Sequence, residues 1–232
     1  IRNLGNDTLN SLQINWRIDS LPQPPCTWSG SLPYLMTADS IVIGSYAFGH
    51  GPHDITAWSS LPNNATDTVN HNDTASLAIY ACNSMSGIYT LGSANADFPT
   101  IHSAVSELTR CGVSGPVTFH ILPGTYLEQI ELGEYTGASD STLVTFTSST
   151  GDPADVVIRY GQMTALKPYT IWLNGTGYLK ISNLTIEVDD GQNIFGEAIR
   201  IGNGVNKLYL DSNIIRTRPF AASGIYPVHF MQ

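Results

Sequence analysis

Charged side chains are scarce in this sequence, and most of those present are acidic. Only 12% of the 232 residues are charged, with 10 Lys and Arg against 19 Asp and Glu and a formal net charge of −9. Binding to phosphates requires concentrated positive charge, so the absence of a Lys/Arg cluster excludes nucleic acid as a partner. No window approaches the roughly 20 apolar residues of a membrane span, which excludes membrane insertion.

An initiator Met and a signal peptide are also missing. The chain opens on IRNLGNDTL, which is typical of a strand end and its turn, and closes on IYPVHFMQ without a terminating cap. We expect both ends to be cut from a longer exported protein. A mature chain with ragged ends is the alternative.

An amphipathic helix is predicted after residue 97. Apolar residues recur there at spacings of three, four and three: Phe98, Ile101, Val105 and Leu108. This is the spacing of one helix face. Pro99 suits the first helical turn, and Gly112 suits the residue just past the helix end. Strands are predicted next, at 117–121 and from Thr125 to Leu132.

Two motifs in this region resemble the pectin-lyase-like family. They are Asp97-Phe98-Pro99-Thr100-Ile101, continued by Ala104-Val105, and Pro123-Gly124-Thr125-Tyr126-Leu127-Glu128. The resemblance implies a right-handed parallel β-helix that begins with an N-terminal capping α-helix. A β-helix can host many functions, so the resemblance specifies the fold better than the activity.

An internal repeat supports this architecture. Segment 170–186 aligns with 197–215 at an offset of 28 to 29 residues. The alignment places Ile171 on Ile199, Leu173 on Ile201, Leu179 on Leu208, Ile181 on Leu210, Leu184 on Asn213 and Ile186 on Ile215. One β-helix coil has this length, and each coil buries its apolar side chains on the coil below. With strands at 144–148 and 156–160, we expect three or four coils.

Residues 1–82 have a different pattern. Alternating apolar and polar residues predict strands at 12–18, 40–48, 53–60 and 74–81, which together predict a β-sandwich. Three motifs resemble the CARDB type of immunoglobulin-like domain: Asn3-Leu4-Gly5-Asn6-Asp7-Thr8, Pro52-His53-Asp54-Ile55-Thr56-Ala57 and Asn70-His71-Asn72-Asp73-Thr74-Ala75. The expected fold is therefore all-β, with an Ig-like β-sandwich at 1–82 followed by the β-helix at 83–232.

Three cysteines stand at 26, 82 and 111. Cys82 precedes the first β-helix strand and Cys111 ends the predicted helix, so we expect a disulfide between them, which would require an oxidising compartment. Three buried thiols are the alternative. Cys26 is expected to be a free, buried thiol.

Catalysis on this fold needs clustered carboxylates, or a basic side chain beside them, projecting from successive coils. The coil carboxylates are sparse: Glu128, Glu131, Glu134, Asp155, Glu187, Asp189, Asp190, Glu197 and Asp211. Asp189, Asp190 and Asn193 offer fewer oxygens than calcium takes, which favours a solvated turn. Arg216 and Arg218 could act as a base but are expected at the surface. We therefore assign no catalytic residue, no metal and no cofactor.

Two histidines and five aromatic residues of the N-terminal region are candidate sites. His50 and His53 lie in a Gly/Pro turn without a third ligand, which argues against a metal. The aromatic residues are Trp16, Trp28, Tyr34, Tyr46 and Trp58. Most are expected in the sandwich core, although one or two could form a sugar-binding platform.

Asp followed by Ser or Thr and then by an apolar residue or Thr recurs six times. The hydroxyl residues are Thr8, Ser20, Ser40, Thr68, Thr74 and Ser141. The pattern resembles the O-glycosylation sequon of exported Bacteroidetes-type proteins. Asx turns, in which Asp bonds nearby backbone N–H groups, are the alternative explanation.

The best overall resemblance is to large exported bacterial surface proteins carried by type IX secretion. It implies export through the periplasm to the cell surface or beyond, with partners among other domains of the same chain, cell-surface proteins or polysaccharide. A non-catalytic structural or adhesive segment is the first hypothesis. A polysaccharide lyase or esterase with active coils beyond residue 232 is the second, and a carbohydrate-binding module is the third.

Overall fold

The computed structural model describes residues 1–188, 196–217 and 225–231. The chain divides into two compact units, Ile1–Asn83 and Ser84–Gln232. Among the described residues, no helix is long and apolar enough to cross a membrane.

The first unit contains one antiparallel sheet, here called the N-terminal sheet. Its strands are β1 (Leu9–Ile18), β2 (Leu21–Pro22), β3 (Cys26–Leu32), β4 (Gly51–Ser60) and β5 (Thr74–Ala81). β1 pairs with β2 and β3 on one side and with β4 on the other, and β4 pairs with β5. One sheet thus stands in residues 1–83 where the sequence predicted the two sheets of a sandwich.

The prediction of a strand at 40–48 is wrong, and β3 was not predicted from the sequence. Ile41 and Ile43 pack on the sheet's small core of Leu9, Leu12, Ile14 and Leu32. Ile41 and Ile43 therefore alternate with exposed Val42, as buried and exposed residues do in a strand. The backbone of this segment, however, is not paired with any strand of the described chain. Periodicity detects burial and not hydrogen bonding, which explains the error.

The second unit is a parallel β-helix of about four turns. Its strands are β6 (Met85–Leu91), β7 (Val113–Ile121), β8 (Gly124–Tyr126), β9 (Ile130–Leu132), β10 (Val144–Ser148), β11 (Val156–Tyr160), β12 (Tyr169–Leu173), β13 (Gly177–Ser182), β14 (Thr185–Val188), β15 (Gly196–Ile201), β16 (Asn206–Asp211), β17 (Ile214–Arg216) and β18 (Ile225–Phe230). They form three sheets: a first of β6, β7, β10, β13 and β16, a second of β8, β11, β14 and β17, and a third of β9, β12, β15 and β18.

The strand register confirms the repeat alignment. Ile171 pairs with Ile199 in the third sheet, and Leu179 pairs with Leu208 in the first. Ile186 pairs with Ile215 in the second sheet. The single predicted strand from Thr125 to Leu132 is in fact two strands, β8 and β9, because the chain turns there from the second sheet into the third.

Like residues stack inside the coils. The rings of Phe119 and Phe146 lie 4.5 Å apart and stacked, and Phe119 is fully buried. Aliphatic residues such as Val144, Leu179 and Ile186 are also fully buried. Close packing of this kind makes each coil the base for the next.

The predicted helix is present as α1 (Ile101–Cys111). It begins later than predicted, because Thr100 caps its N-terminus: the Thr100 hydroxyl accepts the Ser103 N–H at 3.0 Å, and Pro99 lies outside the helix. The Glu128 carboxylate of the first coil accepts the N–H groups of Ile101 and His102, at 3.2 and 2.8 Å. This carboxylate stabilises the positive end of the helix dipole.

The other end and the buried face of α1 agree with the prediction. Gly112 ends the helix at φ +64, in the left-handed region that favours glycine. Ile101, Val105 and Leu108 belong to the β-helix core, whereas Phe98 lies outside the helix and is partly buried against that core. Ile101 and Val105 of the helix and apolar residues of the coils line a void of about 30 Å³.

Cys82 and Cys111 are disulfide-bonded. Cys26 in β3 is a free cysteine, half-buried rather than buried as the sequence analysis expected. The sole group of three potential metal ligands found in the described part of the chain is Cys82, Cys111 and Glu107. Because the two sulfurs are bonded to each other, neither is available as a thiolate ligand.

We predict that replacing Cys82 and Cys111 by Ala lowers the free energy of unfolding by about 3 kcal/mol, because the disulfide closes a loop of roughly 30 residues in the unfolded chain. Denaturant titration of the double variant against the parent measures this. Cys26→Ala is the matched control and should cost less, and recovery of two unlinked thiols at 82 and 111 in non-reducing peptide maps would contradict the disulfide.

Candidate functional site

The third sheet carries a group of polar and aromatic side chains, here called the third-sheet cluster: Glu131, Lys167, Tyr169, Trp172, Glu197, Arg200 and His229. The register brings them together. Trp172 of β12 pairs with Glu131 of β9 and with Arg200 of β15, which in turn pairs with His229 of β18. Side chains one coil apart on one row lie about 5 Å apart.

Glu197 is the buried carboxylate of the cluster, with its side chain 6% exposed. Arg200 donates to it twice, from Nε at 2.6 Å and from Nη2 at 3.0 Å. His229 Nδ1 lies 2.8 Å from the same carboxylate. A bidentate guanidinium and an imidazole offset the cost of burying this charge, and Glu197 raises the pKa of Arg200.

Glu131 is the second carboxylate, and it is 43% exposed. Lys167 Nζ donates to Glu131 at 2.6 Å, and the Tyr169 hydroxyl donates to the same oxygen. Lys167 and then Tyr169 hold the pKa of Glu131 below its ordinary value. Burial, followed by the hydrogen bond to Glu131, raises the pKa of the Tyr169 hydroxyl. Glu131 is therefore a carboxylate near neutral pH and Tyr169 a neutral donor.

Tyr169 and Arg200 connect the two carboxylates. The guanidinium of Arg200 lies over the Tyr169 ring, 5.4 Å from its centre, in a cation–π arrangement. The Trp172 ring packs against Tyr169 at 5.4 Å. Gly202 makes room for the indole, because a Cβ at that position would lie 3.1 Å from Trp172 Nε1. The cluster is thus one interlocked network.

The network has a definite chemical character. Each carboxylate is matched by its own cation, so the face is close to charge-balanced. It combines hydrogen-bond donors and acceptors with aromatic surface, which is the composition of a site that binds a polar, uncharged or weakly charged ligand. A general acid needs a raised carboxyl pKa, and the pKa of Glu131 is lowered instead.

Of the coil carboxylates in the sequence, the structure brings two, Glu131 and Glu197, into this cluster. Glu128 binds the start of α1, and Glu187 lies 4.0 Å from Arg159 in the second sheet. Asp211 pairs with Lys180 at 3.0 Å in the first sheet. Arg216 ends β17 in register with Glu187 and is exposed, as expected.

Further candidates lie outside the described residues: Asp189, Asp190 and Asn193, for which the sequence predicted a solvated turn, and Arg218.

Sequence reasoning missed five residues of the cluster: Lys167, Tyr169, Trp172, Arg200 and His229. A signal was available for part of it, because the repeat that places Ile171 on Ile199 also places Trp172 on Arg200. The outward positions of the repeat, and not its apolar positions alone, therefore carry information on this row of polar and aromatic side chains.

His53 is engaged on both ring nitrogens. Nδ1 lies 2.9 Å from Asp19 Oδ2, and Nε2 lies 2.9 Å from the Gly49 carbonyl. Two oxygen acceptors favour the protonated ring, and the hydrogen bond with Asp19 raises the pKa of His53 from 6.5. A ring with both nitrogens occupied has no lone pair to offer a metal.

The aromatic residues of the first unit are only partly in its core. Trp16 is buried and Trp28 packs on the small core, but Tyr34 and Tyr46 are 51% and 39% exposed. The expectation that most of them fill a sandwich core is therefore wrong, since one sheet offers less interior than two.

All six hydroxyl residues of the Asp-Ser/Thr pattern are exposed: Thr8, Ser20, Ser40, Thr68, Thr74 and Ser141. Some of the preceding Asp side chains also have structural partners. Asp67 accepts the Val69 N–H at 2.8 Å, which is an Asx turn, and Asp19 accepts the Asp54 N–H at 2.9 Å. The two explanations of the pattern are thus compatible, because the Asp is held while the hydroxyl remains accessible.

We predict that stability falls as pH rises through the pKa of His53. The folded-state pKa is raised above 6.5, so the extra stability is fully present below that value and is lost above it. Thermal midpoints from pH 6 to 9 should fall more steeply for the parent than for His53→Gln. His71→Gln, at an exposed histidine of the same unit, is the control, and parallel curves for parent and His53→Gln would contradict the assignment.

Comparison with known proteins gives a partial structural likeness. No family model and no curated protein matches the chain. Among solved structures, a pectin methylesterase from Aspergillus niger is 21% identical with a TM-score of 0.38, covering 56% of this chain and 47% of that one. Pectin methylesterase PemA from Erwinia chrysanthemi is 13% identical with a TM-score of 0.44, covering 65% and 46%. The chain thus spans about half the length of these proteins, and the β-helix is defined by its own strand register.

Proposed function

We propose that this chain is a structural and adhesive segment of an exported bacterial surface protein, and that its third-sheet cluster binds polysaccharide without cleaving it. The observation that carries the proposal is the neutralisation of both carboxylates. Glu197 is held by Arg200 and Glu131 by Lys167. Hydrolase and lyase chemistry uses a carboxyl group kept protonated or a base without a competing partner. The pKa of Glu131 is lowered instead, and both carboxylates are engaged by a cation.

Binding is favoured by the same geometry. The cluster spans all four strands of the third sheet, which gives an extended face that suits a linear polymer. Lys167, Glu131 and His229, whose side chains are 56%, 43% and 40% exposed, present ammonium, carboxylate and imidazole groups to sugar hydroxyls. Trp172, half-buried in the centre of the row, supplies an aromatic surface on which a sugar ring can pack.

The scaffold role follows from the coils. In-register stacking gives a stiff rod with lateral faces for partners. We infer that α1 is the cap of this rod, since its apolar face meets the core at the first coil and Glu128 ties its start to that coil. The Cys82–Cys111 disulfide supports an oxidising, extracellular location reached through the periplasm.

We predict that Trp172→Leu weakens polysaccharide binding at least tenfold while the fold is retained, since a stacking surface is lost but the ion pairs stay. Affinity electrophoresis through gels containing neutral polysaccharides, with polygalacturonate as the acidic comparison, measures retention. Tyr209→Leu is the matched control, because Tyr209 is an exposed aromatic residue, 48% exposed, on the first sheet.

Two results would contradict this function. Unchanged retention in Trp172→Leu would remove the third-sheet cluster as the binding site. Release of methanol or of unsaturated uronate from pectin by the parent chain would show an enzyme and overturn the non-catalytic assignment.

We also propose O-glycosylation at the exposed hydroxyls of the Asp-Ser/Thr pattern. The protein isolated from its native source should carry sugar on at least two of the six positions, Thr8 and Thr74 among them. Intact mass and peptide mapping test this. Unmodified peptides at all six positions would contradict the proposal, and replacing Asp7 by Asn should abolish sugar at Thr8 alone.

A further inference from the structure

The N-terminal sheet ends in β5, and no strand of the described chain pairs with the outer edge of β5. β5 pairs with β4 along all eight residues from Thr74 to Ala81, and no other strand of this sheet pairs with it. Five successive residues of the strand, 74–78, are exposed. Alternate residues of an edge strand direct their N–H and C=O groups outward, where a further strand can bind them.

This edge also lacks the features that normally prevent strand pairing. The sequence TASLAIYA contains neither a charged residue nor Pro, and its ladder with β4 has no bulge. The opposite side of the sheet is different, because β2 has two residues and ends in Pro22, and the pairing of β3 with β1 is interrupted by a register shift. Short strands, Pro and bulges block edge pairing. Features that prevent pairing with a further strand are therefore present at the β2 and β3 side of the sheet and are absent at the β5 side.

An apolar row runs across the sheet and ends at the same edge. Ile18 pairs with Ile55, and Ile55 pairs with Leu77, so the three side chains lie on one face. Ile18 is fully buried, Ile55 is half-buried and Leu77 is 60% exposed. The side chains of this apolar row thus become progressively more exposed from β1 to β5.

We propose that β5 pairs in antiparallel orientation with β5 of a second copy of this chain, about a two-fold axis at Leu77. In this register Leu77 lies opposite Leu77 of the other copy, and Ala75 lies opposite Ile79. Apolar residues then meet apolar residues on one face, while Ser76 meets Ala78 on the other. The strand is self-complementary in this sense and places no like charges against each other.

The arrangement joins two sheets into one and covers the exposed end of the apolar row, because the row continues from Leu77 into the same row of the second copy. It also closes on itself. Each copy has one unprotected edge of this sheet, so pairing consumes both edges and stops at two copies. The strand of any other protein would also need an apolar side chain opposite Leu77. A second copy of this chain supplies one, its own Leu77.

The full chain is expected to have twice its mass of 25.1 kDa in sedimentation equilibrium or light scattering. Leu77→Lys should halve that mass, since the axis would bring two ammonium groups together. Val42→Lys is the matched control, because Val42 is 81% exposed in the same unit but lies outside β5. It should leave the dimer intact, and circular dichroism should show both variants folded.

Cross-linking tests the register directly. In a Cys26→Ser background, Leu77→Cys should form a covalent dimer on mild oxidation, whereas Val42→Cys should not. A parent chain with a mass of 25.1 kDa at its highest soluble concentration would overturn the proposal and leave the edge open to a strand of another protein. A dimer that survives Leu77→Lys would overturn it as well.

Discussion

In-register stacking of side chains between coils is the constraint on which the rest of the β-helix depends. A coil by itself cannot bury its apolar residues, so each needs a neighbour with matching residues at matching positions. The Phe119–Phe146 stack and the aliphatic pairs of the first and second sheets show how closely this is met. An offset of 28 to 29 residues in the sequence is the direct consequence.

The same constraint produces the third-sheet cluster. When inward positions stack, outward positions of the same strands stack too, so residues far apart in sequence form one row. Glu131, Trp172 and Arg200 come from three successive coils in this way. Burial of Glu197 is then possible only because Arg200 and His229 reach it. Each of the two carboxylates of this cluster is thereby paired with a cation.

The N-terminal sheet, unlike the coils, has no neighbouring layer of strands stacked on it within the described residues of its unit. A single antiparallel sheet has open edges and a face that must be covered, whereas coils cover each other. Ile41 and Ile43 cover part of the face, and the cover fails towards Leu77. The second copy that we propose would pair with the open edge of β5 and cover the exposed end of the apolar row at Leu77.

Much of this fold was predictable, because its determinants are local or periodic. The helix α1, the coil repeat and the residue pairs between coils follow from apolar spacing along the chain, and Gly112 marks the helix end by its backbone preference. The segment 40–48 was mistaken for a strand because alternation records which side is buried and not whether a backbone finds a partner. The candidate site depended on tertiary structure for a further reason. Glu197 and Arg200 are three residues apart, which regular strand alternation assigns to opposite faces, yet they form a bidentate pair. By itself the sequence determined the repeating unit and its apolar core. Only the tertiary structure decided which polar side chains meet on its surface and which strand of the described chain has an open edge, because both depend on contacts between segments that sequence spacing does not record.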